Sequence, residues 1–313
     1  MYCPYLRGKQ FELILLRENA ELISKNNISP IIEPVKNNFS SLIKAAKELN
    51  KVKADFTLIV NPQVGQSDRD DIISDLIDRE FKHYRSLSIG YILHPDTRQS
   101  RLISLLDRFP DRVFSLIHNG FMNGQSLSDA ISDHNNIKTH IFLETNPSKL
   151  YRKHFKKLNS QRVLIRNGFK QREKNSLYPP DEHFSDLHIT HDDEGMDGFG
   201  DFLITGDKYS ETGGPAYSVA IHLTHLGMDN DMFIFHFLSD HNDSPADPGG
   251  KFLEAMVKLV KEVRKEPKTV FQSKAVKEFE SLYEKQHFPG LGYVKKLSMQ
   301  HHIELMANFL NGD

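Results

Sequence analysis

Six polar side chains end six successive apolar runs, and their types could do chemistry. Pro-Ile-Ile-Glu33-Pro34, Phe-Thr-Leu-Ile-Val-Asn61-Pro62 and Ile-Gly-Tyr-Ile-Leu-His94-Pro95 come first. Val-Phe-Ser-Leu-Ile-His118-Asn119-Gly120, Ile-Phe-Leu-Glu144-Thr-Asn146-Pro147 and Val-Leu-Ile-Arg166-Asn167-Gly168 follow. Two imidazoles and a carboxylate on consecutive runs, His94, His118 and Glu144, suit either a divalent metal or general acid–base work. A histidine ionises near neutrality, at about 6.5, so it can give or take a proton there. Glu33 offers a second carboxylate. Lys9, Lys36 and Arg166, with Arg7 nearby, supply cations for a phosphate or carboxylate, Arg as a fork and Lys as a point charge. Asn61, Asp207 and His222 complete the candidate substrate contacts. Polar residues also end strands simply because strands end at water, and one step along a strand reverses a side chain.

The elements that must position these groups follow from the spacing. The beat returns roughly every 25–30 residues, about one βα unit. It predicts a (β/α)8 TIM-barrel-like α/β fold, whose chemistry gathers at the C-terminal ends of the strands. Strands are expected at 29–35, 55–61, 88–94, 112–118, 139–145, 162–167 and 201–206. Amphipathic helices are expected between them, the first at 10–26, one from Ser40, one at 67–84 and a basic one at 147–158. The segment 5–10 is polar and reads as a cover for the bottom of the barrel or as a stretch that reaches into it. Residues 170–198 break the beat. They are polar, contain Pro179-Pro180, and gather His183, His188, His191, Asp192, Asp193 and Glu194. They read as a lid or wall, and the His188/His191 spacing with three acids also fits a metal. Residues 217–225 and 232–238 read as strand eight and an antiparallel partner, in either order, joined by a hairpin at Gly227–Asn230. His222 and His236 then face each other. Glu211-Thr-Gly213-Gly214-Pro215 reads as a turn and matches no phosphate-loop pattern. Helices fill the rest. The chain reads as a single domain over 1–313, barrel about 1–247 and helical extension about 248–313.

The chain has 313 residues, 38% hydrophobic, with a formal net charge of −2. Near neutrality argues against a general nucleic-acid coat or a membrane-surface binder, though not against a local basic pocket. Cys3 stands alone, so no disulfide forms within the chain and a reducing compartment suits it. The opening residues hold no apolar signal core, and no run has transmembrane length. These features predict a cytoplasmic protein. Trp is absent and Phe numerous at 21, so aromatic packing rests on Phe and Tyr.

Several blocks resemble an uncharacterised bacterial family, the beta-family or beta-like proteins. They are Tyr2-x-Pro4-Tyr5-Leu6-Arg7-Gly8-Lys9-Gln10-Phe11-Glu12-Leu13, Ile32-Glu33-Pro34-Val35-Lys36 and Asn61-Pro62-x-Val64-Gly65. Gly198-Phe199-Gly200-Asp201-Phe202, Gly213-Gly214-Pro215-Ala216 and Phe288-Pro289-Gly290-Leu291-Gly292 extend the resemblance over nearly the whole chain. The resemblance implies a bacterial cytoplasmic protein linked to phage-defence loci, and it supplies no catalytic residues.

The expectation is therefore an enzyme for a small anionic substrate at the barrel mouth, by phosphoester hydrolysis or lyase chemistry. Glu33, His94, His118 and Glu144 would be its acids and bases. The alternative is a non-catalytic barrel that binds a nucleotide, or a protein partner encoded nearby, within a defence module.

Overall fold

The computed structural model describes residues 1–66, 70–144, 148–211, 213–214 and 216–312, with Asp70 and Asp71 by backbone only. The expected helix start at Ser67, the Asn146-Pro147 beat, and Thr212 and Pro215 of the expected turn lie outside the described residues. Strands, in order, are β1 (Tyr5–Leu6), β2 (Ile31–Ile32), β3 (Phe56–Ile59), β4 (Leu87–Leu93), β5 (Phe114–His118) and β6 (Ile137–Leu143). They continue as β7 (Gln161–Ile165), β8 (Asp181–Ser185), β9 (Gly198–Gly200), β10 (Ala220–Leu226) and β11 (Met232–Leu238). The chain forms two compact units, Met1–Asn167 with Thr190–Asp201, and Gly168–Ile189 with Phe202–Asp313.

The first unit is an eight-stranded parallel barrel in the order β1-β2-β3-β4-β5-β6-β7-β9. The N-terminal segment closes it. Tyr2 bridges both Ile28 and Phe199 in parallel. Cys3 N donates to Phe199 O at 2.8 Å, and Tyr5 N to Asp201 O at 2.8 Å. The Tyr2 hydroxyl, fully buried, donates to Asp201 Oδ1 at 2.9 Å. Glycine makes this approach possible. A Cβ on Gly200 would lie 2.0 Å from Cys3 O and 2.4 Å from Ile165 Cδ1.

Four expectations are corrected here. Residues 5–10, expected as a polar cover or an inward-reaching stretch, supply the first barrel strand at Tyr5–Leu6. The strand expected at 201–206 lies at 198–200 instead. Leu203–Thr205 is a 3-10 turn, in which Leu203 takes φ 51° and Gly206 φ 71°. Residues 217–225 are not barrel strand eight. They belong, with 232–238, to a separate antiparallel sheet in the order β10-β11-β8. The expected first helix is interrupted at Asn19, whose amide donates back to Leu15 O at 2.9 Å, giving α1 (Gln10–Glu18) and α2 (Ala20–Lys25).

The barrel's remaining helices are α3 (Ser40–Lys51), α4 (Asp70–Glu80), α5 (Gln99–Arg108), α6 (Gly124–Ala130) and α7 (Lys149–Lys153). Each buries an apolar stripe where one is described, as with Leu42, Ala45, Ala46 and Leu49 of α3. The Ser148 hydroxyl caps α7 by accepting from Tyr151 N.

In the second unit, the polar stretch 170–198 supplies β8. In register its Asp181, Glu182 and His183 lie opposite Phe235, Ile234 and Phe233 of β11, and their polar groups reach past those partners, Asp181 to His225 of β10, Glu182 to His236 of β11 and His183 to Asp231. Odd positions of β10, Ile221 and Leu223, enter an apolar core with Phe252, Met256 and Leu259 of α9 (Pro248–Val263), Val276 and Phe279 of α10 (Lys274–Glu284) and Leu297 of α11 (Leu291–Leu310). The even positions His222 and Thr224 face the other way and find polar partners. The short helix α8 is Leu187–Thr190. Among the described residues, no helix is long and apolar enough to cross a membrane.

Gly200→Ala would drive a methyl group into the Cys3 carbonyl and push apart the backbones that the Cys3 N–H bond to Phe199 O joins. A loss of about 3 kcal/mol or more is expected in urea unfolding, against a change within about 0.5 kcal/mol for Gly213→Ala, whose Cβ would meet nothing within 4 Å. Equal losses would mean that the closure does not hold the barrel.

Candidate functional site

Strand register sorts the six strand-end residues onto two faces. Tyr5, Ile31, Thr57 and Ser88 lie in register across β1 to β4, and Gly90 with Ser115 continues the row to β5. The Thr57 hydroxyl reaches Ser115 Oγ at 3.2 Å across the intervening strand, and Ser88 Oγ lies 2.8 Å from the same oxygen. A bond that spans a strand in this way marks the concave interior. Counting by two from that row, Arg7, Glu33, Asn61 and His94 share the inner parity. His118, Glu144 and Arg166 share the outer one.

The inner set is largely self-satisfied. Glu33 is fully buried and accepts from the Tyr5 hydroxyl at 2.7 Å, from Gln63 N at 2.7 Å, and from the Arg7 guanidinium. Burial, then the Glu33 charge, pushes the Tyr5 phenol well above its ordinary range. Asn61 spends its amide on β4, donating to Ile92 O at 2.8 Å and accepting from Ile92 N at 2.7 Å. It extends the ladder past the end of β3. His94 is partly exposed, and its Nδ1 accepts from Asp96 N at 3.3 Å.

The outer set turns toward the helices. His118 Nδ1 bonds the Tyr151 hydroxyl at 2.8 Å, and its Nε2 bonds His140 Nδ1 at 2.9 Å. The ring stacks on Phe142 at 4.5 Å and packs against Phe155 at 4.6 Å. Burial holds the His118 imidazole well below the usual histidine range, with His140 adding to it, and burial lowers His140 to about 3. Both rings are neutral structural groups at pH 7. Glu144 accepts a two-pronged bond from Arg166, Nε at 2.8 Å and Nη2 at 2.9 Å. His94, His118 and Glu144 therefore do not converge. Among the described residues, no group of three or more His, Cys, Asp or Glu side chains is placed to hold a metal. Lys9 caps α1, its backbone N–H bonded to Glu12 Oε2 at 3.2 Å, and Lys36 is exposed after β2.

Two residues of the acidic loop are also spent on structure, while Asp192 and Asp193 are exposed. Glu194 pairs with Arg152 at 2.9 Å within the first unit, and His188 Nε2 bonds Asn230 O at 2.7 Å within the second. Asp207 and His222 belong to the second unit. Asp207 follows the 3-10 turn rather than a strand end.

His222 stands differently from the rest. It lines a cavity of about 1090 Å³ built wholly from second-unit residues. In register with His236, it places Nδ1 2.7 Å from His236 Nδ1. His236 Nε2 lies 3.2 Å from Glu182 Oε1, and Glu182 Oε2 accepts from Arg172 Nη2 at 2.8 Å. Phe169 and Tyr178 pack edge-on against the His222 ring at 5.0 and 4.9 Å.

The proton positions follow from the ends of this chain. A carboxylate only accepts, so His236 carries its proton on Nε2. The Nδ1 of neutral His236 is then an acceptor, and His222 donates from its own Nδ1. His222 Nε2 is left with its lone pair, and it has no hydrogen-bond partner among the described residues. Burial, then His236 and Lys295, holds His222 well below the usual histidine range, so the lone pair is present at neutral pH.

Sequence reasoning placed His222 opposite His236 but missed Glu182 and Arg172. Both sit in a stretch whose polarity read as loop.

No family model matches the chain, and no curated protein matches it. Two solved structures are similar. The enoyl reductase domain of MlnA from the macrolactin biosynthesis cluster of Bacillus amyloliquefaciens is 11% identical, with 99% of this chain and 81% of that one covered, at a TM-score of 0.40. FabK from Thermotoga maritima is also 11% identical, with 99% and 95% covered, at a TM-score of 0.39. Neither likeness transfers a residue or a reaction to this chain.

Two measurements check these placements. Glu33→Ala removes a fully buried carboxylate that Tyr5, Gln63 and Arg7 all bond and is expected to cost about 3–5 kcal/mol of stability, while Glu144→Ala, on a half-exposed pair, costs about 1 kcal/mol or less. Similar losses in chemical denaturation would overturn the division into inner and outer sets. Buried neutral histidines also set an acid limit, because the unfolded chain takes up protons below about pH 6.5 that the folded chain refuses. His140 is held at about 3 and His301 at about 4, both by burial. Stability should therefore be level above pH 7. It should fall as pH drops below 6.5, by about 1.4 kcal/mol per pH unit for each such histidine. A melting temperature unchanged between pH 7 and 4.5 would contradict their burial.

Proposed function

We propose that the protein is an enzyme acting on a small anionic substrate, with its active site in the cavity of the second unit and His222 as general base. The observation that carries this reading is the His222–His236–Glu182 chain, closed by a carboxylate at one end and open to the cavity at the other. A substrate hydroxyl, or a water attacking a phosphoester, would pass its proton to His222 Nε2. The imidazolium so formed already donates from Nδ1 to His236, and the Glu182 carboxylate offsets the charge. Burial keeps the resting imidazole neutral, and the relay ending on Glu182 lessens the cost of the charge it takes up. Arg172 holds Glu182 in place, and Phe169 and Tyr178 hold the ring.

The reaction class expected from the sequence, phosphoester hydrolysis or lyase chemistry, agrees with a positioned base beside cations. Support for its location has shifted from the barrel mouth to this cavity. The strand-end ring is divided between two faces, and its carboxylates are already bonded.

Two experiments test the assignment. In nitrogen-15 NMR spectra at pH 7, His222 should show the Nδ1–H tautomer and His236 the Nε2–H tautomer; the reverse pair would leave no base facing the cavity. In a turnover screen of phosphomonoesters, phosphodiesters and β-hydroxy acids, His222→Gln should lower any activity found by roughly a hundredfold or more, and Glu182→Gln by less. Activity indifferent to His222→Gln would remove it from the mechanism.

A further inference from the structure

The same cavity carries a second pattern that the proton relay does not use. Its wall includes Arg172, Lys174, Lys208 and Lys295 against one acid, Glu173. Arg172 is engaged by Glu182, but neither Lys174 nor Lys208 has a salt bridge among the described residues. The protein as a whole is close to neutral, at a formal charge of −2. Three ammonium groups on one concavity are thus a local concentration rather than a general bias. A cleft lined by one sign of charge focuses the field on an ion of the other sign.

Charge alone would suit inorganic phosphate, but the cavity is built for something larger. Its volume of about 1090 Å³ is at the upper end for a small-molecule site, commonly about 300–1,000 Å³. It also has an aromatic wall. Tyr217 lines it with half of its surface exposed, unlike Phe169 and Tyr178, which are buried around His222. An exposed ring on a cavity wall can take a flat apolar group face to face.

That wall is fixed at some cost. Lys251 of α9 is only 4% exposed, and its ammonium donates to Tyr217 O at 2.8 Å, Ala216 O at 3.4 Å and the Ser244 carbonyl. A buried charge spent entirely on backbone carbonyls holds the chain that presents Tyr217. Next to it, Gly213 and Gly214 carry no side chain into the opening, and a Cβ at either would meet nothing within 4 Å. Room, a ring platform and a set of cations therefore occur on one wall.

We propose that the ligand of this cavity is a nucleoside phosphate, its phosphates held by Lys174, Lys208 and Lys295 and its base stacked on Tyr217. The inference rests on the reading of the cavity as the active site and names the substrate class for it. It places the phosphate group on the lysines of the cavity that also holds the His222 base, where a phosphoester or a ribose hydroxyl is the group acted upon.

Titration calorimetry of the full chain tests it, with ATP, AMP, inorganic phosphate and adenosine as the probes. Affinity should fall in that order, ATP at least tenfold tighter than inorganic phosphate. The double substitution Lys208→Met, Lys295→Met should weaken ATP at least tenfold, with circular dichroism confirming the fold. Tyr217→Ala should weaken AMP about tenfold while leaving phosphate unchanged, and Lys251→Met should follow Tyr217→Ala. Equal affinity for ATP and phosphate with no effect of Tyr217→Ala would overturn the nucleoside assignment. No binding of any probe at millimolar concentration would overturn the anion site. His222→Gln should still bind ATP. Binding retained by this variant, with turnover also unchanged, would defeat the general-base reading alone. Loss of nucleotide binding in the wild type, with a turnover that depends on His222, would defeat the present inference alone.

Discussion

A parallel barrel is stable only if its first and last strands meet, because an open edge leaves backbone donors and acceptors without partners. Here the meeting depends on how closely two backbones can approach. The Met1–Leu6 segment lies between Ile28–Ile32 on one side and Phe199–Asp201 on the other. Gly200 gives the Cys3 carbonyl the space that any side chain would take. The Tyr2–Asp201 bond then pins the seam between two buried side chains. With the ring closed, every strand has a fixed inner and outer face, and the fate of each strand-end residue follows from its count along the strand.

That count explains what was legible in the sequence and what was not. The β-branched runs at 56–59, 89–93, 114–117 and 163–165 announced parallel strands buried on both faces, since such strands need no alternation. The same lack of alternation hides parity. Nothing in Leu-Ile-His118 says whether the imidazole looks into the barrel or toward α7, so His118 and Glu33 looked alike. The closing strand was not legible for a different reason. Gly-Phe-Gly has no β-branched residue and only three positions, and its glycines are chosen for approach rather than propensity. The apolar Phe202-Leu-Ile204 beside it carried a stronger strand signal and turned instead.

The polar stretch that became β8 shows a third limit. Hydrophobic periodicity finds strands that bury apolar side chains, and β8 pairs acids with histidines instead. Asp181, Glu182 and His183 each meet a titratable partner on β10 or β11, or on the loop between them. The complementary signal was present, in His222, His225 and His236 on two runs that formed an obvious hairpin. Read together, a hairpin carrying three histidines and an acidic stretch poor in apolar residues predict a third, ion-paired strand. Neither alone does so.

Burial gives the same residue type different uses in the two units. His118 and His140 bond each other and Tyr151 behind a layer of Phe142 and Phe155, and no ring nitrogen of theirs reaches a cavity open to solvent. His222 is bonded on one nitrogen only, and the residue lines a cavity. Desolvation lowers the basicity of all three, yet only the His222 pair ends on a carboxylate, two groups away, that can offset a charge. An imidazole pair without an acid, as at His118 and His140, can only resist protonation. One that ends on Glu182 can accept a proton when a substrate delivers it, because the charge is then shared toward a fixed anion rather than isolated in a medium of low polarity. The difference between a core histidine and a candidate base is thus the group at the far end of the chain, and here that group comes from the strand with the weakest apolar signal.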